Sequence, residues 1–292
     1  MLSWARTVAA CELPVLICGE SGSGKEGVAR LVHGHSARSA GPFVPVNCTA
    51  LTETLLDAEL FGSVRGAYTG SLRDRPGLLR LARGGTLFLD EVGDTSPAMQ
   101  AKLLRAIEER RVRPVGGERE LPIDARILSA THHDLRQRIR EGSFRADLFH
   151  RLAVLEIDVP PLRNRRDDLP LLTEELAPRI RRETGRGPLH LAPSARDLLA
   201  AYHWPGNVRE LHAVLARASL RAEGGRIASR HLELRFARLD ENEGSPPASE
   251  PLEKTMIARA LEEAGGNVAG AARRIGWSRQ KLYRRMRALA VG

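Results

Sequence analysis

The stretch Gly19-Glu20-Ser21-Gly22-Ser23-Gly24-Lys25-Glu26 restricts this chain more than any other. Its glycines let successive backbone N–H groups turn inward around a phosphate. An apolar run, Leu13-Pro14-Val15-Leu16-Ile17-Cys18, precedes it, and helix-compatible Val28-Ala29-Arg30-Leu31-Val32 follows. Strand, glycine loop and helix in that order form the setting of a phosphate-binding loop. The helix N-terminus adds partial positive charge there. Lys25 can reach the β- and γ-phosphates as a point charge. One position departs from the generic pattern: Glu26 stands where a Ser or Thr usually offers its hydroxyl to magnesium.

Further apolar runs follow at Phe43–Val46, Leu87–Leu89, Ile127–Ala130 and Val154–Val159, separated by amphipathic segments. Continuous apolar strands alternating with helices predict a parallel sheet covered on both faces, an α/β fold. Ligands sit at the carboxyl ends of such strands. The polar residues that end the runs are therefore the ones to weigh: Gly19, Asn47, Asp90-Glu91 and Thr131-His132. Gly85-Thr86-Leu87-Phe88-Leu89-Asp90-Glu91 reads as a Walker B strand. Asp90 would hold Mg2+, directly or through water, and Glu91 would orient and polarise the attacking water. Asn47 ends a neighbouring strand and is expected to hydrogen-bond Glu91.

A length of 292 residues suggests two or three domains. Aromatic residues make up only 4%, so the cores must be mostly aliphatic. The net charge of +9 points toward an anionic partner. Cys11, Cys18 and Cys48 lack metal-ligand spacing, no apolar run approaches membrane-spanning length, and no signal peptide is visible. The expectation is a reduced, cytoplasmic protein with no membrane contact. The first strand begins close to Met1, and an N-terminal regulatory part is expected to be missing.

With these residues in view, the chain resembles the AAA+ domain of bacterial enhancer-binding proteins, the sigma-54-dependent transcriptional activators. The likeness runs from Gly-Glu-Ser-Gly-Ser-Gly-Lys-Glu through Glu59-Leu60-Phe61-Gly62, Gly66-Ala67-Tyr68-Thr69-Gly70-Ser71 and the Asp90-Glu91 strand. It continues through Phe144-Arg145-Ala146-Asp147-Leu148-Phe149-His150-Arg151-Leu152, Pro160-Pro161-Leu162-Arg163 and Trp204-Pro205-Gly206-Asn207-Val208-Arg209-Glu210-Leu211. Glu26 fits this family, which usually has Glu after the Lys.

The resemblance implies roles. ATP with Mg2+ would bind at Gly19, Glu20, Ser21, Gly22, Ser23, Gly24, Lys25 and Glu26, and Arg209 would serve as sensor II. Asn47 would hold Glu91 until ATP is sensed. Arg145 and Arg151 would be arginine fingers reaching a neighbouring subunit, which implies a ring, a hexamer or heptamer assembled from dimers. The loop Gly66, Ala67, Tyr68, Thr69, Gly70 and Ser71 would touch sigma-54. The usual form of that loop is Gly-Ala-Phe-Thr-Gly-Ala, so Tyr68 and Ser71 depart from it. Two more departures are His132, where sensor I usually has Asn, and Pro114, where the second pore loop usually carries a basic residue.

From Pro161 to about Leu239 no strand run is visible, and Leu169–Arg182, Pro193–Tyr202 and Val208–Arg221 pattern as helices. This fits a small all-α lid, with Asn207 the expected cap of the last helix. Asp240–Pro251 reads as a linker. In the tail, Leu252, Met256, Ile257, Ala260, Leu261 and Ala264 form a helical stripe. Gly265-Gly266 ends that stripe, and Asn267 can cap the next helix. A third, basic helix carries Leu282, Met286 and Leu289 inward and Arg279, Gln280, Tyr283, Arg284 and Arg287 largely outward, and Lys281 is also expected at DNA. That is helix-turn-helix patterning, and it resembles the Fis-type domain. Residues 251–292 hold nine Lys or Arg against three Glu, a net charge of +6. Arg273 and Arg274, on the preceding helix, suit DNA phosphates, and Gln280 and Arg284 suit base edges.

The expected organisation is therefore an AAA+ P-loop parallel-sheet domain over 1–160, a helical lid over 161–239, a linker over 240–251 and a helix-turn-helix domain over 252–292. The expected function is an ATP-hydrolysing activator that binds upstream DNA and remodels sigma-54 RNA polymerase. The alternative left open is an AAA+ DNA-binding regulator of other promoters whose ATPase is vestigial or serves assembly alone.

Overall fold

The computed structural model describes residues 2–67 and 73–234 and, in the tail, residues 257, 258, 260, 261, 264, 265, 267–274, 282 and 286. The five apolar runs form β1 (Val15–Cys18), β2 (Phe43–Asn47), β5 (Gly85–Asp90), β8 (Ala125–Thr131) and β9 (Leu155–Asp158). They make one parallel sheet in the order β2-β5-β8-β1-β9. Side chains alternate across it, as strand geometry requires. Val15, Ile17, Phe88 and Leu128 pack on one face against Val28, Ala29 and Val32 of α2 (Lys25–Gly34) and Ala5, Val8 and Ala9 of α1 (Leu2–Ala9). Leu16, Leu87, Leu89 and Ile127 meet the other face, which is covered by α3 (Glu53–Phe61), α5 (Pro97–Glu109) and α7 (Ala146–Leu152).

Register sets what stands at the carboxyl edge. Cys18 aligns with Thr131 and Asp158, and Asn47 aligns with Asp90. At the opposite edge, fully buried Arg126 donates to the carbonyls of Val8 and Ala9 at 2.8 and 3.0 Å. It satisfies carbonyls that the end of α1 leaves without helical partners.

Two hairpins rise beside the sheet. One pairs β3 (Gly62–Ser63) with β4 (Arg75–Pro76), and the other pairs β6 (Arg111–Val112) with β7 (Leu121–Pro122). The connection of the second joins the first beside β3, because Val115 donates to the Gly62 carbonyl at 2.8 Å and Val64 donates to the Val115 carbonyl at 3.1 Å.

The lid builds a second core, gathered from Leu162 to Leu232 around Trp204. Its helices are α8 (Leu169–Thr184), α9 (Pro193–Ala201) and α10 (Asn207–Arg221). The sequence shows no strand run here, yet His190–Leu191 (β10) and Arg226–Ile227 (β11) pair in parallel. A ladder of two residues per strand is too short to leave a periodic signal.

Residues 235–292 form a separate unit. Ile257, Ala260, Ala271, Ala272 and Leu282 are its core, with Leu261, Ala264, Val268 and Met286 packed against it. Asn267 Oδ1 accepts from the N–H groups of Ala269 and Gly270 at 3.0 and 3.2 Å and caps the helix Val268–Arg274, as expected.

Candidate active site

The phosphate loop leaves β1 and enters α2 through two residues in the left-handed region, Gly22 (φ +73°) and Gly24 (φ +98°). L side chains resist that conformation. Lys25 is nearly buried at the first turn of α2 and bends back over the loop. Its Nζ donates to the Gly19 carbonyl at 2.9 Å, the Glu20 carbonyl at 3.4 Å and Glu91 Oε1 at 3.3 Å. An ammonium has three donors, so the loop's own carbonyls and one carboxylate occupy all of them. Ser23 Oγ is buried in the same loop without a hydrogen-bond partner. An orphaned hydroxyl beside a nearly buried cation suits an anionic ligand.

Asp90 ends β5 and Glu91 follows it in the left-handed region, at φ +55°. Burial and the adjacent Glu91 charge push the Asp90 carboxyl above the usual carboxylate range, against the pull of Lys25. Burial would also raise Glu91, but its bonds to His132 and Lys25 outweigh that and hold it below the usual range. Its Oε2 accepts from the His132 N–H at 3.1 Å and meets His132 Nδ1 at 2.7 Å. Asn47 does not do this. Its Oδ1 accepts from the N–H and hydroxyl of Thr49 at 2.8 and 2.7 Å, turning back along its own chain in an Asx turn. The expected Asn47–Glu91 bond is therefore absent, and the imidazole one strand beyond β5 takes its place. His133 and Asp94 also stand near His132, but Arg138 Nη2 lies 2.9 Å from His133 Nε2 and 3.3 Å from Asp94 Oδ1. A guanidinium at that point makes the group a hydrogen-bonded chain and disfavours a cation there.

The lid reaches the loop directly. The N–H groups of Val208 and Arg209 donate to the Gly22 carbonyl at 2.9 and 3.3 Å. Arg209 Nη1 donates to Ser21 Oγ at 2.8 Å. Arg163 clasps the Glu20 carboxylate with two bonds, of 2.6 and 2.9 Å, which hold its pKa down, and Arg165 donates to the Ser23 carbonyl. Asn207 is not the expected helix cap. It is fully buried at φ +51°, accepts from the Leu162 N–H at 2.8 Å, and donates to Glu20 Oε2 at 3.0 Å and the Ser21 carbonyl at 3.1 Å. Its side chain joins sheet domain and lid where a cap would bond within its own helix. The loop and lid enclose a cavity of about 280 Å3, lined by Lys25, Glu26, Asp90, Glu91 and Arg209 among others.

Residues 1–158 match the family model described as the sigma-54 interaction domain. The chain belongs to the sigma-54 activator family. Residues 163–249 match the AAA+ ATPase lid domain, and 249–289 match the bacterial regulatory proteins of the Fis family. Among similar proteins, the response regulator protein PilR of Pseudomonas aeruginosa is 45% identical over 97% of this chain. The transcriptional regulatory protein ZraR of Escherichia coli K12 is 46% identical over 98% of it. The chain spans 66% of the length of each of these relatives. The crystal structure of NtrX from Brucella abortus in complex with ATP superposes with a TM-score of 0.73, at 33% identity, covering 99% of this chain and 67% of that one. The α/β P-loop fold, the helical lid and the Fis-type helix-turn-helix are thus those of sigma-54 activators.

Of the other residues that the family resemblance singles out, Glu26 lines the cavity, and Arg145 and Arg151 are not among its lining. Arg145 precedes α7 and pairs with Asp147 at 2.7 Å, while Arg151, on α7, pairs with Glu108 at 2.8 Å. Both guanidinium groups are about half exposed. Glu26 pairs with Arg30 one turn along α2, at 2.6 Å. Gly66 and Ala67 lead out of the β3–β4 hairpin, where Gly116 of the second hairpin comes close to Ala67. Tyr68, Thr69, Gly70 and Ser71 lie outside the described residues, as do Arg279, Gln280, Lys281, Tyr283, Arg284 and the 240–251 linker. The backbones of Arg273 and Arg274 close the helix Val268–Arg274. Three residues escaped the sequence reading. The resemblance gives Arg163 no role, Arg165 stands two residues further along the same basic run, and Asn207 patterns as a cap. Only their fold-mediated approach to the loop marks them.

Proposed function

We propose that this chain hydrolyses ATP in a ring of identical subunits and uses the cycle to open promoters held by sigma-54 RNA polymerase, while its tail anchors it to upstream DNA. The observation that carries this is the convergence of Lys25, Asp90, Glu91 and Arg209 on one cavity at the carboxyl edge of the sheet. The division of labour follows 1–160 for hydrolysis, 161–239 for the lid and 252–292 for DNA, with 240–251 as the linker.

The resting arrangement suggests how the chain holds its chemistry in reserve. Both Glu91 oxygens are engaged, one by Lys25 and the other by His132. A γ-phosphate competes for the Lys25 ammonium and frees Oε1, so that Glu91 becomes a base only when substrate is present. His132 keeps the other oxygen and sets the carboxylate's direction. Asp90 would hold Mg2+, whose charge would polarise the phosphate oxygens. Binding the ion also favours the charged form that burial opposes. Arg209 reads the loop from the lid. Arg145 and Arg151 would exchange their surface carboxylates for a neighbouring subunit's nucleotide, and Tyr68 would present its ring to sigma-54.

Purified protein is assayed for ATP turnover and for open-complex formation with sigma-54 polymerase. Glu91→Gln should bind ATP and hydrolyse it poorly, because water activation alone is lost. Tyr68→Ala should retain ATPase and lose open complexes. Wild-type turnover by Glu91→Gln would remove that residue from the chemistry. ATPase without any promoter opening by the unaltered chain would favour the regulator of other promoters.

A further inference from the structure

Gln100 lies on α5 and is fully buried. Its amide makes three hydrogen bonds, all to backbone. Nε2 donates to the Thr95 carbonyl at 2.9 Å and the Ser143 carbonyl at 3.1 Å, and Oε1 accepts from the Arg145 N–H at 2.9 Å. Thr95 closes the turn that starts at Glu91, its hydroxyl donating to the Val92 carbonyl at 2.7 Å. Arg145 opens α7. One side chain therefore joins the turn that follows the Walker B strand to the backbone from which Arg145 projects. A leucine would fill the same space without burying polar atoms. A fully bonded amide defines a geometry that apolar packing does not.

Arg138 makes a second tie between the same two segments. Its guanidinium donates to the Gly93 carbonyl and to Asp94, and its own carbonyl accepts from the N–H groups of Ser143 and Phe144 at 2.9 and 3.2 Å. The Arg145 side chain, by contrast, is half exposed and pairs with Asp147, two residues away. The residue has a fixed root and a movable head.

We propose that Gln100 is the positioning residue for Arg145, fixing its backbone relative to the Walker B turn of the same subunit. The proposal rests on Arg145 acting on the nucleotide of a second copy of this chain. Each subunit's Asp90–Glu91 end would then set where its own arginine stands for the neighbour.

The test compares Gln100→Leu, Arg145→Ala and the double variant in the full chain, by steady-state ATPase and titration with a fluorescent ADP analogue. A trans arginine is worth about 10³–10⁵ in rate, and a displacement of about 1 Å costs roughly 10². Gln100→Leu should lose about 100-fold in kcat with nucleotide affinity within about twofold of wild type. The double variant should turn over no more slowly than Arg145→Ala alone, because a misplaced arginine and a missing one cannot be lost twice. Mixed with Lys25→Ala subunits, Gln100→Leu should regain activity, its intact pocket receiving the partner's well-placed arginine. Multiplicative losses in the double variant, or no recovery in rings shown to be mixed, would overturn the proposal. Wild-type turnover by Arg145→Ala would instead sink the trans reading and the proposal together. Should Gln100→Leu fail to fold, Gln100→Glu carries the same comparison, since it keeps the side chain's length and an acceptor but lacks the two donors.

Discussion

Gly22→Ala should damage this protein far more than its single methyl suggests. The residue sits at φ +73°, a conformation that costs an L residue about 1–2 kcal/mol. A Cβ there would lie 2.6 Å from the Gly206 carbonyl oxygen and 3.0 Å from Arg209 Cβ. Neither is the end of a flexible side chain, so the segment 206–209 has to move away. The Gly22 carbonyl then loses the N–H groups of Val208 and Arg209, at about 1 kcal/mol each. Together these come to about 3–4 kcal/mol against the closed loop and lid. If nucleotide binding needs that closed arrangement, affinity should fall by two orders of magnitude or more, at about 1.4 kcal/mol per tenfold. Gly27→Ala is the matched control. It lies five residues further on, inside α2, and its Cβ would meet nothing within 4 Å. It should stabilise by up to about 1 kcal/mol through helix propensity, raising Tm by roughly 2–4 °C. Thermal melts and titration with a fluorescent ADP analogue read both. A Gly22→Ala protein that binds within about threefold of wild type and melts no lower would refute the argument.

Arg163→Ala removes the clasp on Glu20, whose pKa is held below its ordinary 4.5. A depressed carboxylate contributes stability above its unfolded pKa and loses it as pH falls through the folded one. The Tm gap between wild type and Arg163→Ala should thus be present at pH 7 and shrink below about pH 4.5. It should be worth under about 1 kcal/mol, because the pair is partly exposed. A gap that widens on acidification would contradict the assignment. His132→Ala should cut kcat about tenfold at unchanged ATP affinity through a loosened Glu91, whereas Asn47→Ala should change kcat by less than about threefold. Equal losses from the two would mean that turnover uses a different arrangement from the one seen here. In the tail, Arg274→Ala should lower the salt slope of DNA binding by about one unit for all sequences. Gln280→Ala should cost about 1–3 kcal/mol on the preferred site alone. Binding across a salt series and a base-substituted library separates the two, and unchanged sequence preference in Gln280→Ala would remove that residue from base readout.

The strands of the sheet were legible because β1, β2, β5 and β8 are apolar runs whose polar ends mark the ligand edge, while β9, at the edge of the sheet, alternates apolar with charged residues. Lys25, Asp90 and Glu91 could be read for the same reason, since their chemistry follows from neighbours in sequence. What escaped depends on contacts between distant segments. Nothing local to Asn207 distinguishes a helix cap from a tie to Glu20, because both use a short amide beside a turn. Strand adjacency predicts an Asn47–Glu91 bond, and the adjacency is correct, but Thr49 lies closer along the chain and takes the oxygen. The β10–β11 ladder is too short for any periodicity. Arg126 reads as one more cation in an arginine-rich chain until the end of α1 is seen to need its donors.

The position of β1 has a consequence for the order in which a growing chain can finish this structure. β1 and the glycine loop are made early, yet β1 lies between β8 and β9 and finds its two partners only once Thr131 and Asp158 have been added. The Gly22 carbonyl waits longer still, for Val208 and Arg209. At about 5–20 residues per second, synthesis from the loop to those residues takes on the order of 10–40 s. Until β8 has been made, Val15, Leu16 and Ile17, all buried at the end, have no partner strand beside them. A ribosome stalled before residue 207 would display the whole sheet but an unfinished phosphate loop. Nascent chains released at graded lengths should therefore acquire protease resistance in the sheet well before they acquire affinity for nucleotide.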